Sequence, residues 1–238
     1  MELYIVNNDY QTDLLAIDDI MENQDYSKVL DFVGEGYSST VYAYDDLAVK
    51  VFNDKKELMM DDYFSNEDYK VLEKLQNSPY FQTLYAYKPN KYMVMEFVEG
   101  ISLKNLDEEL EKGSINLNVL EFRNHYTKQI KEILEFCKSQ MIIPKDLHAG
   151  NIIIKDNGDI KIIDVGLFYE YTLDDVIGKD LEIKKNWIDE KFENLFNDLL
   201  YLLVKQRIIT MNSYLSFKKE LDVIFIFCSY QCIYFQRM

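Results

Sequence analysis

The sequence predicts a bilobal α+β fold: a five-stranded antiparallel sheet with one helix in the first hundred residues, then a short, mainly helical second half. Three observations predict it. Strand-like runs separated by turn residues follow one another from Lys28 to Val98. One stretch of helical spacing interrupts them, at Asp61 to Gln76. Beyond Gly100 the apolar spacing is helical except in one hairpin. A chain of 238 residues, 48% hydrophobic and 14% aromatic, has the material to bury a core and suits one functional unit.

Taken in order, residues 1–25 are acidic and irregular and read as an N-terminal extension, with a short helix around Leu14 to Met21. The first lobe is expected over 26–98. Its runs VLDFVGEG, STVYAY and LAVKVF form an antiparallel meander, with Asp45-Asp46 as the tight turn between the second and third. The helix after the third strand presents Tyr63, Phe64, Val71, Leu72 and Leu75 on one face. Two further strands, QTLYAYK and KYMVMEFV, are divided by the turn signal Pro89-Asn90. The lobe boundary falls near Val98 to Ser102, and the second lobe spans 99–238. It opens with the short helix SLKNLDEEL, broken at Gly113-Ser114. A long amphipathic helix follows over Leu117 to Ser139, and another over Trp187 to Lys205. Between these lies KDLHAGNIIIKDNGDIKIIDVGL, two apolar runs joined by a polar turn.

A formal net charge of −16 argues against nucleic-acid and anionic-membrane binding, which rest on excess Lys and Arg, and leaves basic substrates open. Cys137, Cys228 and Cys232 give an odd count without metal-ligand spacing, and MELYIVNNDY lacks the signature of a secretion signal, so a reducing cytoplasm is the expectation. The longest apolar stretch, VIFIFCSYQCIYF at 223–235, is too short to span a bilayer and reads as a buried terminal element.

Several motifs carry chemistry. In GEGYSSTV, Gly34 and Gly36 allow close backbone approach to phosphates, while Ser39 stands where a third glycine of G-x-G-x-x-G would be. Alone, that run suits a plain β-turn equally well. Lys50 lies inside the apolar strand LAVKVF, where an ammonium is costly without anionic partners. The following helix carries two candidate carboxylate partners, Glu67 and Glu73. Asp146 and Asn151 give D-x-x-x-x-N, and Asp164 opens an aspartate-x-glycine triplet at the far end of the hairpin. Carboxylate and amide oxygens are hard ligands that suit Mg²⁺.

In order and spacing, these segments resemble the protein kinase-like superfamily over about residues 28 to 205. GEGYSSTV resembles the Gly-rich loop, LAVKVF the strand with the phosphate-positioning lysine, and KYMVMEFVEG the strand and hinge beside adenine. KDLHAGN resembles the catalytic loop and DVG the metal-binding triplet. The resemblance implies ATP and Mg²⁺ as cofactors, with Lys50 positioning phosphates, Glu67 rather than Glu73 holding Lys50, Asp146 orienting the acceptor hydroxyl and taking its proton, and Asn151 and Asp164 holding the metal. It also implies Val41 and Ala48 as the roof of the adenine pocket, Met95 at its back, and backbone groups of Glu96 and Val98 on the base edge.

The chain departs from the family's pattern in several places. Pro144 and Lys145 replace a His-Arg pair, His148 replaces the lysine that would meet the terminal phosphate, and Val165 replaces the phenylalanine of D-F-G. No A-P-E triplet follows, and the arginine that would pair with an activation-loop phosphate is absent, which argues against that form of regulation. Asp198 resembles an aspartate that braces the catalytic loop, and equally suits an exposed helix acid. The D-L-H-x-G-N form is similar to that of aminoglycoside and choline phosphotransferases and of several atypical microbial protein kinases. The expectation is a compact serine/threonine protein kinase acting on a protein hydroxyl, with a small-molecule kinase as the alternative and a non-catalytic binding module as the third reading.

Overall fold

In the computed structural model, residues 2–36, 38–53, 67–114, 118–172, 174, 181–216 and 218–219 are described. Residues 61–66 of the expected helix, including Tyr63 and Phe64, lie outside them, as does the apolar stretch 223–235 with Cys228 and Cys232.

The first lobe is a sheet of six strands in the order β1-β5-β6-β4-β3-β2. The meander comprises β2 (Asp31–Glu35), β3 (Ser39–Tyr44) and β4 (Leu47–Phe52), and the second hairpin comprises β5 (Leu84–Lys88) and β6 (Tyr92–Glu96). Tyr44 pairs with Leu47 across a two-residue turn in which Asp45 takes a left-handed φ of 49°. Asn90, at φ 60°, plays the same part between β5 and β6.

The sixth strand is β1 (Tyr4–Ile5), which joins the far edge by pairing Tyr4 with Tyr87. The segment expected to be an irregular extension is therefore part of the sheet. It continues into α1 (Gln11–Asn23), longer than the helix expected there, whose Leu14, Ile17 and Ile20 are buried.

Strand alternation divides the lobe into two cores. Leu47 and Val49 of β4, with Tyr92 and Val94 of β6, face outward and pack beneath α1. Ala48, Phe52, Met93 and Met95 face the other way, towards α2 (Asp68–Leu75) and the second lobe. Lys50 has the parity of Ala48 and Phe52, so its side chain enters the interior between the lobes. The α1 face holds by more than apolar contact. Asp18 accepts hydrogen bonds from Lys88 Nζ at 2.8 Å and from the Tyr92 hydroxyl at 2.5 Å, and Glu22 pairs with Lys88 and Lys91.

The crossing to the second lobe is tight. Gly100 has φ 149°, and a Cβ there would stand 2.4 Å from the Ile154 carbonyl oxygen, so only glycine fits. Beyond it come β7 (Ile101–Ser102), α3 (Leu106–Glu111), α4 (Val119–Ser139) and β8 (Ile142–Ile143). Asn118 caps α4 by accepting from the amides of Leu120 and Glu121, and Tyr126, Ile130, Ile133 and Cys137 bury its inner face. The hairpin is β9 (Ile152–Ile154) and β10 (Ile160–Ile162), and β9 also pairs with β7. Finally β11 (Tyr169–Glu170) pairs with β8, and α5 (Leu181–Lys205) packs against α4.

Candidate active site

The hairpin places the acids and amides at its mouth. Ile152 pairs with Ile162, and the Ile163 amide donates to the Asn151 carbonyl oxygen at 3.1 Å. That bond sets Asn151 beside the strand end leading to Asp164. The Asn151 side-chain NH₂ donates to the Asp146 carbonyl oxygen at 3.2 Å, which leaves its amide oxygen as the outward hard donor. Asp146 has φ 62°, a conformation strained for a non-glycine residue, and its side chain is exposed.

Lys50 reaches this mouth from the opposite side. It is 3% exposed, and its ammonium donates to Asp68 at 2.5 Å and to Asp164 at 3.0 Å. Burial by itself would lower the Lys50 pKa; the two adjacent carboxylates outweigh it and raise the value. Burial pushes the Asp164 carboxyl up, but Lys50 and the Gly166 amide hold it below its ordinary range. The Asp164 side chain remains 46% exposed, because one side of it faces a cavity.

That cavity, about 400 Å³, lies between the lobes. Gly36, Ser38 and Ser39 form its upper wall, and Asp146, His148, Asn151, Asp164 and Gly166 its lower one. The Gly36 amide donates to the Ser39 carbonyl oxygen at 2.8 Å, closing the turn between β2 and β3. A Cβ at Gly34 would meet nothing within 4 Å, so packing does not account for that glycine. A glycine-bearing turn above two hard oxygen donors and a buried ammonium is the donor set that a metal-bound polyphosphate needs.

Comparison with known proteins agrees with that chemistry. The protein kinase domain family matches residues 27–208. The chain belongs to the protein kinase family. Among the relatives of this kinase domain is the probable serine/threonine-protein kinase mkcD of Dictyostelium discoideum, 27% identical over 113 residues, which are 45% of this chain and 16% of that protein. Cyclin-dependent kinase 2 of Caenorhabditis elegans is 37% identical over 81 residues, 34% of this chain and 22% of that protein. CBL-interacting serine/threonine-protein kinase 20 of Arabidopsis thaliana is 31% identical over 80 residues, 34% of this chain and 17% of that protein. The matched segments thus span less than a quarter of these relatives.

Within the kinase domain, the expected site residues fall into three groups. Gly36, Ser39, Asp146, Asn151 and Asp164 line one cavity, and Lys50 is tied to it through Asp164. Ala48 and Met95 face each other across β4 and β6 and are buried, while Val41 packs against the same core; none of the three lines that cavity. Glu96 and Val98 are half-buried where β6 runs out, and the Glu96 carbonyl oxygen, expected at the base edge, accepts from the Gln82 side chain at 2.7 Å.

Glu67 is a correction. It does not hold Lys50: its carboxylate pairs with Lys70 at 2.7 Å in solvent, at the N-cap of α2. Asp68 is the partner, and the reason is helical phase. Asp68 lies four and seven residues before Leu72 and Leu75, on the buried face, and Glu67 lies off it. Asp198 is exposed on α5 and lines a second cavity behind the catalytic loop.

Proposed function

We propose that this kinase domain transfers the terminal phosphate of ATP to a serine or threonine hydroxyl of a protein substrate, with Mg²⁺ as cofactor. The observation that carries the reading is the meeting of Lys50, Asp68 and Asp164 at 2.5 and 3.0 Å beside a cavity walled by Asp146, Asn151 and the glycine turn. Asn151 and Asp164 would hold the metal, which when bound offsets phosphate charge and polarises the phosphoryl group under attack.

The chain's own residues do the rest. Lys50, kept protonated by its two carboxylates, presents a fixed positive charge to the nucleotide phosphates. Asp146 stands exposed at the cavity rim, where it orients the acceptor hydroxyl and accepts its proton. The left-handed backbone at Asp146 and the Asn151 hydrogen bond to its carbonyl fix the backbone from which that carboxylate projects. The acidic chain favours basic protein substrates, and we place the protein in the cytoplasm, in keeping with the free, buried Cys137.

The D-L-H-A-G-N loop favours a second reading, a small-molecule kinase. Incubation with labelled ATP and Mg²⁺, alone, with a basic protein mixture, and with aminoglycosides and choline separates the two. Label on protein that disappears in Asp146→Asn is expected. Label on small molecules alone would replace the protein acceptor, and nucleotide binding without transfer would mark a non-catalytic module.

A further inference from the structure

With the nucleotide phosphates at Lys50, the inner face of β4 fixes the place of the base. Along that face stand Ala48, Lys50 and Phe52, and two residues of strand span about 7 Å. Phe52 fills its end of the face, whereas Ala48 leaves room, so the purine lies towards Ala48 and Met95, beside Glu96 at the end of β6.

Every polar group of Glu96 already has a partner. Its amide donates to the Thr83 carbonyl oxygen at 2.9 Å, and its carboxylate accepts from the Thr83 amide at 3.2 Å and pairs with Lys161. Its carbonyl oxygen accepts from the Gln82 side chain at 2.7 Å. A carbonyl oxygen can only accept, so the group touching it is the Gln82 NH₂, which sets the orientation of that amide.

Gln82 is 4% exposed, in the loop that the bridge of Phe81 to Ile162 seats on β10. Its amide oxygen and second N–H have no partner among the described residues. Among those residues no fully enclosed side-chain nitrogen or oxygen lacks a hydrogen bond, so the unpaired Gln82 oxygen opens on accessible space rather than on packed side chains. A buried amide paired on one side and open on the other is built to meet a polar group of a ligand.

We propose that Gln82 reads the 6-position of the nucleotide's purine in place of the Glu96 carbonyl: its oxygen accepts from a 6-amino group, and its second N–H donates to a 6-oxo group. This rests on the ATP reading above. A bare carbonyl would accept from the amine and repel the oxo group, whereas an amide serves both. The domain therefore takes inosine and guanosine triphosphates alongside ATP.

Calorimetry with ATP and inosine triphosphate in the presence of Mg²⁺, with melting temperatures alongside, tests this, because inosine carries the 6-oxo group without guanine's 2-amino group. The wild type should bind both. Gln82→Met removes the amide at similar length and frees the Glu96 carbonyl. It should keep its affinity for ATP and bind inosine triphosphate about 10-fold more weakly, the loss of one hydrogen bond. An unchanged ratio of the two affinities in Gln82→Met, or an equal loss of both, would reduce Gln82 to a structural tie for Glu96. Wild-type binding of ATP with none of inosine triphosphate would also overturn the proposal, and that result needs no variant to fold. If the wild type binds neither nucleotide, the ATP reading itself falls.

Discussion

Asp68 carries its carboxylate one carbon closer to the backbone than a glutamate would, and the surroundings are cut to that length. A Cβ on Gly166 would stand 3.0 Å from Asp68 Oδ2 and 3.2 Å from Asp164 Oδ1, so the DVG glycine sits directly against the pair that holds Lys50. Asp68→Asn should lower kcat about 100-fold, the scale of a misplaced reacting group, while Glu67→Gln should leave steady-state rates near wild type. Gly166→Ala should fall with Asp68→Asn, because its methyl group would press on both carboxylates and shift the pair that holds Lys50. The pH response follows from the same ions. Asp164, with its folded pKa lowered, contributes stability that is present above its unfolded pKa of about 4 and is lost as pH falls through the folded value. Lys50, raised, contributes stability that is complete below its unfolded pKa of about 10.4 and is lost as pH rises through the folded value. Lys50→Met should therefore weaken the protein across the neutral range and make it less sensitive to strong acid, as urea titrations at acidic and neutral pH would show.

At the scale of elements, α1 is structural lining for the sheet. Leu14 and Ile17 are fully buried over Val49, Tyr92 and Val94, so Ile17→Ala should cost about 2–5 kcal/mol in chemical denaturation, with kcat of the surviving folded protein unchanged. The meander was legible because its strands alternate with period two around turns that Asp45 and Asn90 accept in left-handed geometry. The meeting of Asp146, Asn151 and Asp164 at one cavity was legible because the loop and the hairpin that bring them together are local in sequence. What escaped was everything resting on distant partners. Asp13, Asp18 and Asp19 make α1 look like solvated acid, and the half-buried place of Asp18 makes sense only beside Lys88 and Tyr92. Strand β1, of two residues, is too short to show a period at all. Asp68 was hidden by its neighbour, since two adjacent acids differ only in which face of α2 they occupy.

Across the whole molecule, charge and the interlobe crossing act together. With a net charge of −16, a basic peptide should be drawn to this surface, so its KM should rise several-fold as salt increases while that of a neutral peptide stays level. The lobes are joined at Gly100 against the backbone of Ile154, and through the isolated bridge of Phe81 to Ile162 that ties β10 to the loop before β5. The pairing of Tyr4 with Tyr87 has a consequence in time. Strand β1 and helix α1 are synthesised before β5 and β6 and have no finished surface to settle on until those strands emerge, because α1 packs on Tyr85, Ala86, Tyr92 and Val94. Until then the nascent chain carries an unsheltered apolar stripe, and a pause in translation before that second hairpin would prolong its exposure.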